Sequence, residues 1–84
     1  MKNYIQDSHI VMHPTINLTE TGNNIKALRI QKGFSVQNLS QLLDFENVQA
    51  IYNWQSGKCL PSLENLRLLC ELFDKKIEEI IVFE

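Results

Sequence analysis

The chain contains no run of eighteen or more apolar residues, the length at which a hydrophobic stretch reads as a membrane span. Its start, Met1-Lys2-Asn3-Tyr4-Ile5, lacks the apolar centre of a secretory signal, so the expected location is the cytosol, with no membrane partner. Cysteine is scarce as well. Cys59 and Cys70 have no CxxC neighbour, which fits neither a disulfide framework nor a zinc site, and both read as reduced thiols. His9 and His13 would share one face of a helix, but Pro14 follows at once and no third ligand is near, so no metal is expected. No nucleophile appears with a base and an orienting group in a recognisable context, and no glycine-rich loop could cradle a phosphate. The expectation is a protein that is not an enzyme, with no cofactor and no small-molecule substrate.

Positive charge is also in short supply. The net charge is −2, the opposite of the basic surface that phosphate contacts usually need. The shortage is uneven, however. Residues 22–62 hold Lys26, Arg29, Lys32 and Lys58 against Asp44 and Glu46, whereas residues 63–84 hold six acids against Arg67, Lys75 and Lys76. The middle of the chain is net positive and its end net negative.

What is present is helical periodicity. A chain of 84 residues is one domain that hides roughly 60–65% of its extended surface on folding, enough for a bundle of local helices. Residues 1–20 are polar with scattered apolar residues, among them Ile10-Val11-Met12, and read as an arm partly ordered against the domain. From Thr21, a candidate N-cap, Ile25 and Leu28 begin a first helix that Gly33 stops. Ser35 caps a second, about Val36 to Leu43, with Val36, Leu39, Leu42 and Leu43 turned to a core. After the turn Asp44-Phe45-Glu46-Asn47, with Phe45 tucked beneath it, Ala50, Ile51 and Trp54 form the inward face of a third helix ending at Gly57. Ser62 caps a fourth, with Leu63, Leu66, Leu69, Cys70 and Phe73 inward, and Ile77, Ile80 and Ile81 predict a short fifth before an extended tail at Val82-Phe83.

Two short helices joined by a few turn residues meet the geometric requirement of a helix-turn-helix, in which the second helix keeps an outer face free for the major groove. Many small bundles contain such a pair. The run Ile51 to Leu66 is more specific: it resembles the I-x-x-W-x-x-G-x-x-x-P-x-x-x-x-L signature of the phage-repressor (Cro/XRE-type) helix-turn-helix family, met here at Ile51, Trp54, Gly57, Pro61 and Leu66. The resemblance extends over about residues 21–82, through Thr21-Gly22, Gly33-Phe34-Ser35-Val36 and Ile77 to Ile81. It implies an all-α fold, a compact five-helix DNA-binding domain over residues 21–84 behind the arm, working as a repressor-like transcriptional regulator. Two departures stand out. Gln55 occupies a position where the family commonly has a glutamate paired with an arginine of the first helix, here Arg29, so the ion pair becomes a hydrogen bond. The turn between the second and third helices is also about one residue longer than in the commonest members.

The resemblance assigns the reading helix to residues 47–56. Gln49 matches a base-reading position, and its amide can bond adenine N6 and N7 together; the plainer reading is a solvated surface glutamine. Val48 either touches a thymine methyl or completes a hydrophobic staple at the helix start. Tyr52 and Asn53, one turn on, reach a base edge or a phosphate, or lie idle at the surface. Gln37, Asn47 and Lys58 are the candidates for phosphate contact, Gln37 through a helix N-terminus that favours anions. Double-stranded DNA is thus the expected partner and a homodimer the expected assembly. A competing reading keeps the fold but uses the acidic end and the arm to bind another protein, as an antitoxin or repressor accessory factor does.

Overall fold

The computed structural model describes residues 15–84, and these form α1 (Leu18–Gln31), α2 (Val36–Leu42), α3 (Gln49–Gln55) and α4 (Leu63–Phe73), followed by one 3₁₀ turn, Ile77–Glu79. The histidine pair and the Ile10-Val11-Met12 run lie outside the described residues. Three helices start at a side-chain cap that occupies an otherwise unpaired amide: Asn17 accepts from Glu20, Ser35 from Asn38 and Ser62 from Asn65. α3 starts differently. Val48 has no side chain to offer, and Oδ1 of Asn47 accepts the Gln49 N–H instead, at 2.9 Å.

All four helices close with the same pair of backbone hydrogen bonds around a left-handed residue, the Schellman arrangement. Gly33 and Gly57 take that position after α1 and α3, with φ near 82° and 81°. Asp44 and Asp74 take it after α2 and α4, and aspartate is among the few side chains that tolerate this conformation. The turn from α2 to α3 therefore begins with a fixed bend rather than a loose loop.

Several expectations are corrected. α1 begins at Leu18, not beyond Thr21, because Asn17 supplies the cap; Thr21 is buried inside the helix, and its Oγ1 accepts the Val82 N–H at 2.9 Å. Helical structure thus starts within the segment read as an arm, and Ile16 pairs antiparallel with Phe83. The fifth helix is only the 3₁₀ turn, giving four α-helices among the described residues. Val82 is held by Thr21 and by the Asn17 N–H, and the β-branched Ile80-Ile81-Val82 run favours this extended exit. Leu42, Leu63 and Ile77, expected inside, are 54%, 77% and 43% exposed. Leu42 lies about 100° around α2 from Leu43, outside the Leu39–Leu43 stripe, and Leu63 sits on the first turn of α4, past the edge of the core.

The core gathers Ile25, Leu39, Ile51, Trp54, Leu69 and Phe73 with Ile80 and Ile81, so every helix contributes, and each such side chain stabilises by about 1.5–3 kcal/mol. Phe45 does tuck under the turn, its ring edge-on to Trp54 at 5.7 Å. Asn24 Nδ2 donates to the Ile80 carbonyl at 3.1 Å, tying α1 to the final residues. No helix among the described residues is long and apolar enough to cross a membrane.

The tightest approach is between α1 and α3. A methyl group on Gly22 would strike the Trp54 carbonyl and lie 2.7 Å from that of Gln55, both of them backbone. Around Gly33 there is open space, so a methyl there meets only the left-handed backbone penalty. Gly22→Ala is therefore expected to lose about 3 kcal/mol in urea unfolding, at the upper end of overpacking costs, against about 1 kcal/mol for Gly33→Ala. Equal losses would mean that the α1–α3 contact is slack.

Candidate nucleic-acid interface

α3 is only seven residues long, too short to persist alone, and its inward face fixes it. Ile51 is fully buried and Trp54 nearly so, with Ala50 half-buried beside them. The expected inward face is thus the one observed, and the remaining positions follow from the helical period. Gln49 and Tyr52 are exposed, Asn53 and Val48 half-buried. The Gln49 Nε2 donates to Asn53 Oδ1 at 3.0 Å, so these two candidate readers, one turn apart, are already joined in the free protein. That bond leaves the Gln49 Oε1, one hydrogen on Gln49 Nε2 and both hydrogens on Asn53 Nδ2 available.

The helix spans Gln49–Gln55 rather than 47–56, so Asn47 and Val48 precede it. Asn47 is exposed, its side chain engaged with the Gln49 amide. Gln37 is the exposed second residue of α2, on a different helix from the four candidate readers, and the neighbouring Asn38 is spent in the reciprocal cap with Ser35. Lys58 lies beyond the α3 end, exposed, with its backbone amide on the Asn53 carbonyl. The structure therefore gathers Gln49, Tyr52 and Asn53 along one short helix with Val48 at its N-cap, and leaves Gln37 and Lys58 on separate elements.

α3 carries no charged residue at all, whereas Glu64, Glu71, Glu78 and Glu79 are exposed on α4 and the 3₁₀ turn. The net negative charge thus belongs to the later elements, while Asp44 and Glu46 are exposed in the turn before α3. Burial raises the Cys70 thiol above its ordinary range, reinforced by Glu78 and Glu71, so it stays protonated at neutral pH, packed against the core.

Arg29 braces α3 from α1. Its Nε donates to Gln55 Oε1 at 2.8 Å and a terminal nitrogen donates to the Phe34 carbonyl at 2.8 Å, so the hydrogen bond expected in place of the ion pair is present. One contributor escaped the sequence reading. Ser40, 3% exposed, donates from Oγ to the Asn47 carbonyl at 2.9 Å. Its signal was a hydroxyl beside Leu39 on a buried helix face, where a polar group must find a partner.

Residues 25–80, more than half of the chain, match the model of the family described as helix-turn-helix. Among solved structures the chain is similar to the restriction-modification controller protein C.AhdI from Aeromonas hydrophila, with 25% identity and a TM-score of 0.65, over 75% of this chain and 94% of that one. It is also similar to the DNA-binding domain of BldD, with 15% identity and a TM-score of 0.65 over 77% of this chain and 93% of that one. The S. venezulae BldD DNA-binding domain gives 15% identity and a TM-score of 0.64 over 77% and 96%. At 15% identity these last two are likenesses of fold. No curated protein matches the chain by sequence.

The Arg29–Gln55 bond can be tested by restoring a carboxylate. Gln55→Glu is expected to add about 0.5–1 kcal/mol at neutral pH, since a charged pair at a half-buried site exceeds a charged–neutral one. Beside Arg29 the new carboxyl's folded pKa falls below its unfolded value of about 4.3, so the gain is full above that pH and disappears as pH drops through the folded value. Urea midpoints at neutral and strongly acidic pH measure it; a gain that persists in acid would contradict the pairing.

Proposed function

This chain belongs to the helix-turn-helix family, of the Cro/XRE type that its motif resembles, and from that membership we propose that it is a transcriptional regulator reading the major groove of double-stranded DNA with α3. The observation that carries the reading is the split of α3 between Ile51 and Trp54, committed to the core, and Gln49, Tyr52 and Asn53, hydrogen-bonding side chains that the core does not use. Gln49 and Asn53 read base edges, Tyr52 and Val48 lie against the groove, and Gln37, Asn47 and Lys58 take phosphate oxygens. The protein acts in the cytoplasm, and its role is binding rather than catalysis. The likeness to a restriction-modification controller supports a regulatory role over an enzymatic one.

Selection from a random duplex library is expected to enrich a defined site, and Gln49→Ala to weaken binding to it by about 1–3 kcal/mol while sparing non-specific binding. With Lys58 the one cation placed at a phosphate, log affinity falls against log salt with a slope of roughly −0.9 per protomer, about −2 for a dimer. No enrichment, or binding indifferent to Gln49→Ala, would contradict the reading.

The regulator acts as a homodimer. One such module contacts only about 600–1,000 Å² of DNA surface, and paired half-sites raise both affinity and specificity. The surface that supports this is an apolar groove of about 420 Å³ lined by Ile16, Leu60, Leu63, Ile77, Ile81 and Phe83. Leu63 and Phe83, 77% and 58% exposed, stand at its edge. Sedimentation is expected to give a dimer for the wild type and a monomer for Leu63→Ser with Phe83→Ser; a wild type that is monomeric with and without DNA would remove this assembly.

A further inference from the structure

The connection from α2 to α3 spans residues 43–48, and its length decides where the reading helix begins. Starting α3 one residue earlier or later would turn its outer face by about 100° and exchange Gln49 for Val48 or Ala50 at the groove. Burial of Ile51 and Trp54 selects the inward face, and the turn must deliver the chain to the matching start. Val48 cannot fix that start, having no side-chain cap to offer.

Ser40 holds this connection at two points. Its carbonyl accepts the Phe45 N–H at 2.9 Å, as the chain leaves α2, and its Oγ donates to the Asn47 carbonyl at 2.9 Å, as the chain enters α3. Asn47, so held, presents Oδ1 to the Gln49 amide at 2.9 Å. A relay of hydrogen bonds thus runs from a buried side chain of α2, through the turn, to the first residue of the reading helix. Phe45, the first of the two held points, rests edge-on against Trp54. Ser40 itself is 3% exposed and lies between Leu39 and Leu43 of the core, so it reaches no DNA.

We infer that Ser40 is a positioning residue for base readout: through Asn47 it sets the register of α3 and with it the sequence preference of the protein. The inference rests on the proposed DNA-reading function and adds to it a determinant away from the contact surface. Replacing the hydroxyl with hydrogen leaves packing almost unchanged but frees the Asn47 carbonyl to turn toward water, and the start of α3 is then held by the burial of Ile51 and Trp54 alone.

The test compares full-length wild type, Ser40→Ala and Ser40→Thr, measuring affinity for the selected duplex and for a non-specific duplex, together with backbone amide exchange. Ser40→Ala is expected to keep non-specific affinity within about twofold and to lose about tenfold in the ratio of specific to non-specific binding, the factor that one neutral hydrogen bond supports. Its amide exchange quickens at Gln49 and Ala50 and not in α4. Ser40→Thr, which keeps the hydroxyl, is expected to restore most of the ratio; a residue needed only for packing would tolerate the smaller alanine better than the larger threonine. A wild type that selects a site while Ser40→Ala selects it equally well overturns this inference alone. A wild type that selects no duplex overturns the DNA-reading function and this inference with it.

Discussion

Where Gly22 meets the carbonyls of Trp54 and Gln55, two helices touch backbone to backbone with no side chain between them. α3 is too short to stand by itself, so its position is whatever its neighbours impose. The close approach sets its distance from α1. Ile51 and Trp54, buried in the common core, set its rotation, and Arg29, reaching from α1 to Gln55 and to the Phe34 carbonyl, fixes its far end. The near end is held from α2 through Asn47. A seven-residue helix held at both ends and along one face has one face left, and that face carries the amides and the phenol.

The same arrangement shows why an acidic protein can belong to a DNA-binding family. Overall charge governs non-specific attraction, whereas base readout depends on donors and acceptors in fixed places. α3 itself offers no carboxylate to repel a phosphate, and six of the ten acids lie on α4 and the residues after it, with Asp44 and Glu46 in the turn before α3. Those later elements have a separate role: their apolar groove beside Ile77 and Phe83 is stitched to α1 by Thr21 and Asn24, so the proposed dimer surface and the reading helix are two sides of one rigid helix.

Much of this was legible in the sequence because it follows strict periods and strong local signals. The Ile51–Trp54 face, the Ser35 and Ser62 caps, the stops at Gly33 and Gly57 and the Arg29–Gln55 bond all stand as read. What escaped depended on less specific residues or distant partners. Asp44 and Asp74 end helices as the glycines do, but aspartate serves too many other roles to announce it. Thr21 looked like a cap since nothing local revealed that its partner is Val82, 61 positions away. Leu63 and Ile77 continued apolar stripes, and a stripe does not say where the core stops. On the candidate interface, the outward residues of α3 were legible and its start was not, because the start depends on the buried Ser40 across the turn.

The central claim is that the outward face of α3 lies in the major groove. Amide and side-chain NMR shifts recorded while the enriched duplex is titrated into labelled protein address it most directly. The largest changes are predicted at Gln49, Tyr52 and Asn53, with smaller ones at Gln37, Asn47 and Lys58 and none at the exposed acids of α4. Changes concentrated in α4 and the C-terminal residues, with α3 unmoved, would contradict it.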